Sequence, residues 1–176
     1  MAWKKSVLRY PGGKSRAVKH LLPLVPEGVD EMCSPFFGGG SLELACANKG
    51  IVVHGYDLFM PVVYFWQAML KDPEFLAETV KVYHPFDSKE RFKYFQDTLS
   101  KACDEGEQFS FRLAAIFFIL NRCSFSGATL SGGMSAEAAE KRFTLSSIER
   151  VRGFAVKNFR VQIADFKDSI PRHPDA

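Results

Sequence analysis

The chain has 176 residues, 47% of them hydrophobic, and its 23 basic and 20 acidic side chains leave a formal net charge of +3. This length predicts a single domain with enough apolar side chains for a core, and so small a charge does not by itself indicate a nucleic-acid partner. The four cysteines include no CxxC pair, which excludes the usual zinc and thiol-redox motifs. We find neither the apolar segment of a signal peptide nor a run long enough to span a membrane, so we expect a cytoplasmic protein with free thiols.

The first motif is the hexapeptide Arg-Tyr-Pro-Gly-Gly-Lys at residues 9–14. Its Pro-Gly-Gly predicts a turn, followed by a helix from Ser15 towards Leu22 that Pro23 stops. The run Gly-Lys-Ser at residues 13–15 is similar to the end of a phosphate-binding P-loop. That loop requires a glycine where this chain has Leu8, so we exclude a P-loop NTPase.

The most informative stretch follows at residues 31–57. We predict a strand at Glu31–Cys33, a triple-glycine loop, a helix at Leu42–Lys49 with Ser41 as its N-cap, and a strand at Ile51–Tyr56. Asp57 then stands at the tip of the second strand, where the acid of a nucleotide-binding unit takes ribose hydroxyls. The loop does not have the GxGxxG spacing of dinucleotide-binding proteins, and an ordinary flexible turn is the alternative.

The middle of the chain is predicted to be helical. Apolar spacing indicates a helix at residues 59–70, one that begins at Asp72-Pro73, a charged one at residues 88–101 and a strongly apolar one at residues 109–120. Residues 128–142 are rich in Gly, Ser and Ala with little periodicity, and we interpret them as a long loop or a loose hairpin. We expect Ser146 or Ser147 to cap a short helix that extends to residue 154, before a strand at Phe159–Ile163.

Five motifs in one order resemble the Dam-type family of DNA adenine-N6 methyltransferases. They are residues 9–14, residues 34–41 (Ser-Pro-Phe-Phe-Gly-Gly-Gly-Ser), Tyr56-Asp57, residues 121–127 (Asn-Arg-Cys-Ser-Phe-Ser-Gly) and Asp165-Phe166. The resemblance extends over nearly the whole chain, and the first two motifs are the most specific. It implies an α/β fold with a Rossmann-like methyltransferase sheet and an inserted helical DNA-recognition subdomain. Residues 1–71 would begin the cofactor-binding domain, residues 72–145 would form the subdomain and its loop, and residues 146–176 would return to the sheet.

The resemblance implies S-adenosylmethionine as the cofactor, double-stranded DNA as the substrate and no metal. Lys14 would meet the cofactor's carboxylate, Asp57 its ribose hydroxyls, and Asp165 its adenine amino group, roles that suit an ammonium and two acids. The implied cofactor-binding residues are Tyr10, Gly12, Gly13, Lys14, Pro35, Phe36, Phe37, Gly38, Gly39, Gly40, Ser41, Asp57, Asp165 and Phe166. The implied DNA-binding residues are Arg9, Asn121, Arg122 and Ser126.

Arg122 is also open to a structural interpretation, because a basic side chain at the C-terminal end of a helix can satisfy helix carbonyls. Arg9 has the same ambiguity beside the cofactor loop.

The sequence departs from the family's pattern in two places. Ser34 stands where the family has an acid before Pro-Phe, which changes one polar contact in the cofactor pocket. The catalytic Asp-Pro-Pro-Tyr tetrapeptide, which holds the amino group of the flipped adenine, does not occur in the sequence. We expect it on a strand beyond Ala176, and we assign no catalytic residue within the chain. The sheet would then end one strand early, with an unpaired edge at Phe159–Ile163 that invites a second chain.

Three hypotheses therefore stay open at this point. The chain is part of an adenine-N6 DNA methyltransferase, as a fragment or a split subunit. Alternatively, it is a non-catalytic remnant that binds S-adenosylmethionine or DNA, or a nucleotide-binding α/β protein unrelated to methylation.

Overall fold

A three-stranded parallel sheet organises the fold in the computed structural model, which describes residues 5–176. The strands are β1 (Glu31–Ser34), β2 (Val52–Asp57) and β3 (Phe159–Ile163). β2 lies in the middle, with Val52 paired to Glu31 of β1 and Val53 paired to Phe159 of β3. The three predicted strands are confirmed to within one residue at each end.

Helices account for most of the remaining described chain. They are α1 (Val18–Leu21), α2 (Ser41–Asn48), α3 (Met60–Lys71), α4 (Pro73–Lys81), α5 (Lys89–Glu105), α6 (Phe111–Cys123), α7 (Ala136–Arg142), α8 (Leu145–Arg152) and α9 (Phe166–Ser169). Short 3₁₀ turns occur at Leu22–Leu24, Phe125–Gly127 and Ile170–Arg172. Within residues 5–176, no helix combines the length and the apolar character needed to cross a bilayer.

The two faces of the sheet have different surroundings, because successive side chains of a strand point to opposite faces. Val53, Phe159 and Val161 are buried on the face that packs against α2 and α3. On the other face, Arg160 and Gln162 are exposed. The segment that contains α9 crosses this second face and packs against β2.

Aromatic side chains of α3 and α6 form the centre of the core. Phe65 of α3 stacks on Phe118 of α6 with ring centroids 5.6 Å apart, and Trp66 is fully buried beside them. The helices between residues 72 and 145 contribute to the same continuous hydrophobic cluster as the helices that cover the sheet. α4, α5 and α6 each begin after an N-cap residue whose side chain accepts a hydrogen bond from a backbone N–H. These residues are Asp72, Ser88 and Ser110 respectively.

Three local predictions were wrong. The N-cap of α2 is Gly40 in the left-handed region at φ +64°, and Ser41 is the first helical residue. Residues 128–142 are not one loop, since α7 begins after its N-cap Ser135 and buries the small side chains Ala138 and Ala139. α8 is capped by Thr144, with Ser147 completing a capping box, and it ends at Arg152.

Candidate functional site

The glycine loop lies at the carboxyl end of the central strand, where hydrogen bonds fix it. The backbone N–H of Phe37 donates to the carbonyl of Tyr56 at 2.8 Å, and that of Gly38 donates to Oδ2 of Asp57 at 2.8 Å. The other oxygen of Asp57 accepts from the N–H of Phe59 at 2.9 Å. Asp57 therefore joins the glycine loop to the start of α3, and each of its oxygens retains a further lone pair for a ligand.

Aromatic rings explain why this loop contains glycines. A Cβ on Gly38 would lie 2.8 Å from Cε1 of Tyr10, and one on Gly40 would lie 2.6 Å from Cε1 of Phe37. Gly38 and Gly40 also have positive φ values of +47° and +64°. The close approach that the glycines permit is thus first an approach of this chain's own rings. Burial, followed by the negative charge of Asp57, raises the pKa of Tyr10 to about 12, so its hydroxyl stays protonated.

The turn at residues 10–14 packs over the loop and is connected to α2. The N–H of Gly13 donates to the carbonyl of Tyr10 at 2.8 Å, and Gly12 has a φ of +72°. Ser15 and Ser41 share a hydrogen bond between their hydroxyls at 2.9 Å. The ammonium of Lys14 is exposed and donates to the carbonyl of Gly12 at 2.7 Å. A cation is therefore available beside the glycine loop to pair with an anionic group.

Asp165 and Phe166 meet the same loop from the end of β3. The side chain of Asp165 accepts from the N–H of Lys167 at 2.8 Å and so begins α9. The ring of Phe166 lies 5.6 Å from that of Phe36 between centroids, and the two residues are 40% and 70% exposed. Two exposed aromatic rings in contact offer a surface on which a planar ligand ring can stack.

Glu43 is a polar residue of this region that the sequence analysis did not single out. Its Oε1 accepts from the hydroxyl of Ser34 at 2.9 Å. Burial raises the pKa of Glu43, an effect that hydrogen bonds from the backbone and from Ser34 and the charge of Lys14 oppose. The resemblance implies an acid at position 34. This chain has a serine there, but the carboxylate of Glu43 is hydrogen-bonded to it. A Ser–Glu contact nine residues apart, from a strand end to a helix, has no periodic signal in sequence.

Arg9 and Asn121 connect this region to the loop after α6. The amide of Asn121 is fully buried, and its Oδ1 accepts from the N–H of Arg9 at 2.9 Å. Its Nδ2 donates to the carbonyl of Arg9 at 2.6 Å and to that of Gly127 at 3.3 Å. All of these contacts are internal, so the direct DNA contact predicted for the Asn121 side chain does not fit its position. Its role in this structure is to hold Arg9 against Gly127.

Arg122 is buried as well, with only 9% of its surface exposed. Its Nε donates to the carbonyl of Arg142 at 2.7 Å, and its Nη1 donates to that of Val7 at 3.2 Å. Burial and the nearby cations Arg150, Arg9 and Arg142 lower its pKa to about 10. The role of Arg122 in this structure is thus to satisfy carbonyls, but those of Arg142 and Val7 and not those of its own helix, and the predicted DNA contact does not fit its burial.

A small cleft lies on the surface next to these residues. Its volume is about 130 Å³, and Arg9, Arg142, Ser126 and Ser135 are among the residues that line it. Glu137 also lines it, and its carboxylate pairs with the ammonium of Lys141 at 3.1 Å. Nη1 of Arg9 is buried without a hydrogen-bond partner, and burial together with the charge of Arg142 lowers the pKa of Arg9. Phe125 stands at the rim and is 71% exposed. Sequence analysis identified Arg9 and Ser126 as candidate residues of this surface. It did not identify Arg142 and Phe125, which lie beside them.

A second cleft, of about 300 Å³, lies where the two regions meet. Tyr10, Pro11 and Phe59 line it from the side of the glycine loop, and residues 127–131 line it from the loop after α6. Apart from the buried Asn121 and Arg122, the sequence-predicted residues thus lie in two adjoining regions. One is built from the glycine loop, the turn at residues 10–14, Asp57 and Asp165-Phe166, and the other holds Arg9 and Ser126.

Comparison with known families agrees with this arrangement. Residues 10–172 match the family described as D12 class N6 adenine-specific DNA methyltransferase. The matched region begins at Tyr10 and includes the glycine loop, Asp57, the loop after α6 and Asp165-Phe166. On this match, which spans nearly the whole chain, the protein belongs to the D12 class of N6 adenine-specific DNA methyltransferases.

Proposed function

We propose that this chain binds S-adenosylmethionine and double-stranded DNA, and that it provides both binding sites for the methylation of adenine at N6. The observation that carries the proposal is the cleft of about 300 Å³ between the glycine-loop side and residues 127–131. A base inside a duplex cannot reach such a cleft, so the adenine has to be flipped out of the stack and enter between apolar and aromatic side chains. Tyr10 and Phe59 supply such side chains here.

On the cofactor side, the chemical groups fit the parts of S-adenosylmethionine. The free lone pairs of Asp57 would accept from the ribose hydroxyls, and the exposed ammonium of Lys14 would pair with the carboxylate. The rings of Phe36 and Phe166 would stack on the adenine of the cofactor. The carboxylate of Asp165 would accept a hydrogen bond from the amino group of that adenine. The bound cofactor supplies an electrophilic methyl group on a sulfonium ion, and the residues of this chain orient it.

On the DNA side, we assign the phosphate contact to the cleft that holds Arg9, Arg142, Ser126 and Ser135. An unpartnered guanidinium N–H beside a second guanidinium and two hydroxyls is a suitable donor set for a phosphate oxygen. Phe125 would stack on an unpaired base beside it, as exposed aromatic rings do in single-strand binding proteins. Asn121 and Arg122 would act from behind, by fixing the backbone of Arg9 and of residue 142.

We further propose the division of the chain into residues 1–71, 72–145 and 146–176, with the DNA-facing helices in the second segment. The Asp-Pro-Pro-Tyr tetrapeptide is not among the 176 residues, so we assign no group here to the orientation of adenine N6. That group would come from a further segment or from a second chain. The alternative function is a protein that binds the cofactor or DNA without catalysis, and the missing tetrapeptide is the observation that favours it.

The test combines cofactor binding with methyl transfer by the purified chain. We expect saturable binding of S-adenosylmethionine by calorimetry, and no transfer of tritiated methyl groups to adenine-containing duplexes from the 176 residues alone. Orientation of reacting groups contributes about 7–11 kcal/mol in favourable cases, so its loss removes turnover entirely. Transfer that appears when a polypeptide bearing the tetrapeptide is added would support the enzyme. Cofactor binding without any such rescue would support the alternative. Absence of cofactor binding would refute the enzyme, and absence of both cofactor and duplex binding would refute the alternative as well.

A further inference from the structure

Three potential metal ligands meet on the open face of the sheet, which the segment containing α9 crosses. Glu31 begins β1, His54 lies in the middle of β2, and His173 follows the last 3₁₀ turn of the chain. Each offers a ligand atom that lies within 4.8 Å of those of the other two. Oε2 of Glu31 is 2.9 Å from Nε2 of His54, and the rings of His54 and His173 stack with centroids 4.2 Å apart. The chain thus brings together residues that are 23 and 119 positions apart in sequence.

The imidazole of His54 is the unusual member of this group. The residue is only 6% exposed, and its Nδ1 is buried without a hydrogen-bond partner. Its Nε2 faces Oε2 of Glu31 at 2.9 Å, so Nε2 is the nitrogen that would coordinate an ion shared with Glu31, and Nδ1 takes no part in the site. His173 is held from the far side, because its Nε2 shares a hydrogen bond of 2.7 Å with the hydroxyl of Tyr56. A tyrosine hydroxyl on one ring nitrogen can orient the imidazole for coordination through the other.

A cleft gives an ion access to these side chains. It has a volume of about 540 Å³ and is lined by residues 28–31 and 172–176, so Glu31 and His173 both face it. Asp30 and Asp175 add negative charge to its wall, and Arg172 adds one positive charge. Two carboxylates near the ligands raise the local concentration of cations at the entrance.

We propose that Glu31, His54 and His173 bind a divalent transition-metal ion of the zinc type. Two imidazoles and a carboxylate are a ligand set that Zn²⁺ accepts, with water in the remaining position, whereas Mg²⁺ and Ca²⁺ favour oxygen ligands. Tetrahedral coordination with bonds of about 2.0–2.1 Å places ligand atoms about 3.3 Å apart. Glu31 and His54 are already near that spacing, and the ligand atom of His173 lies within 4.8 Å of both. The ion would fasten residues 166–173 to the open face of the sheet.

This site does not depend on the proposed methyl transfer. It lies at the start of β1, whereas the glycine loop follows the end of that strand. The competing explanation is a metal-free polar network in which two stacked imidazoles hydrogen-bond to Glu31 and Tyr56. The two explanations differ in whether the full chain takes up one equivalent of metal through these residues.

The experiment uses the full chain after treatment with a chelator, in reducing buffer. Titration with ZnCl₂ is followed by calorimetry and by thermal unfolding, and Co²⁺ is used as a spectroscopic probe of coordination. We expect one equivalent to bind, with a Tm that rises with free zinc as binding to the folded state requires, and no such rise with MgCl₂. The variants His173→Ala and Glu31→Gln, at partly exposed positions, should each weaken zinc binding at least tenfold.

Two matched variants serve as controls. His20→Ala removes an exposed imidazole of α1. Cys33→Ser changes the residue opposite His54 in the strand register, whose thiol donates to the carbonyl of Ser169 at 4.0 Å. Both should bind zinc as the wild type does, which would support the site. Absence of saturable binding in the wild type would overturn the proposal. Unchanged affinity in His173→Ala or in Glu31→Gln, or loss of binding in Cys33→Ser, would equally overturn the assignment to these three ligands.

Discussion

Substitution of Asp57 by alanine tests the cofactor side of the site most directly. The carboxylate accepts the N–H of Gly38 at 2.8 Å and that of Phe59 at 2.9 Å, and our proposal adds the ribose hydroxyls of the cofactor. Alanine removes all of these acceptors at once. Folding and binding should therefore both weaken, by amounts that can be measured separately.

The expected magnitudes follow from these contacts. Gly38 is buried, so its N–H would be left without a partner, which costs about 1–3 kcal/mol of unfolding free energy. In a protein of this size that loss corresponds to a decrease in Tm of roughly 2–12 °C. Loss of hydrogen bonds from ribose hydroxyls to a charged acceptor should weaken S-adenosylmethionine binding by about 1.5–3 kcal/mol, a factor of roughly 10–150 in Kd.

The assay is calorimetric titration with S-adenosylmethionine at a temperature where the variant is folded, with Tm measured in parallel. Asp72→Ala is the matched control, because its carboxylate also accepts a backbone N–H, that of Phe75 at 2.9 Å, but at the start of α4. The control should lower Tm and leave Kd unchanged. Unchanged Kd in folded Asp57→Ala would refute the ribose contact, and an unchanged Tm would refute the inferred role of Asp57 in holding the loop.

Three further substitutions test the remaining assignments. Arg9→Ala should weaken duplex binding and reduce its salt slope by about one unit in a salt-dependent binding titration, since one phosphate contact is lost; an unchanged slope would contradict the phosphate cleft. Arg122→Ala should lower the free energy of unfolding by about 2–3 kcal/mol in a urea titration and leave the salt slope unchanged, because its bonds are to buried carbonyls; a reduced slope would restore the direct DNA contact. Burial raises the pKa of Glu43 in the folded state, so stability should fall as pH rises from its unfolded pKa to that raised value, and Glu43→Gln should abolish this dependence in urea titrations at several pH values.

Local patterns were sufficient to predict the sheet and the position of its acid. The β-branched run before Asp57 predicts a buried strand, and the acid that follows it must lie at the strand's carboxyl end beside the glycine loop. The start of α4 was predictable for a similar reason, because Asp72-Pro73 carries a cap and a proline that suits a first turn. These features depend on neighbours within a few residues.

The features that sequence did not predict depend on residues far apart in the chain. The buried side chain of Arg122 bonds to the carbonyl of Val7, which is more than a hundred positions away in sequence. No pattern within α6 indicates such a partner. The triad of Glu31, His54 and His173 arises in the same way. The pairing of Ser34 with Glu43 spans only nine residues, but it joins a strand end to a helix and so has no periodic signal. α7 was missed because its buried side chains are alanines, which leave no apolar periodicity to detect.

The strand order indicates the edge at which a further strand would pair with this sheet. Sequence reasoning placed the free edge at β3, and within residues 5–176 both β1 and β3 have a partner on one side only. In a doubly wound sheet the strand order begins 3-2-1-4, so the order in which strands are added reverses next to the first strand. The ligand binds at this switch point. The observed order of β3, β2 and β1 matches the first three of these positions.

A fourth strand should therefore pair with β1 and not with β3. Its carboxyl end would then lie beside Ser34 and the glycine loop, which is where our proposal requires a group that orients adenine N6. Hydrogen exchange on the chain, with and without an added polypeptide that bears the Asp-Pro-Pro-Tyr strand, distinguishes the two edges. We expect new protection at the amides of β1, whereas protection confined to Phe159–Ile163 would show that the completing strand pairs at the other edge and that the doubly wound order does not apply.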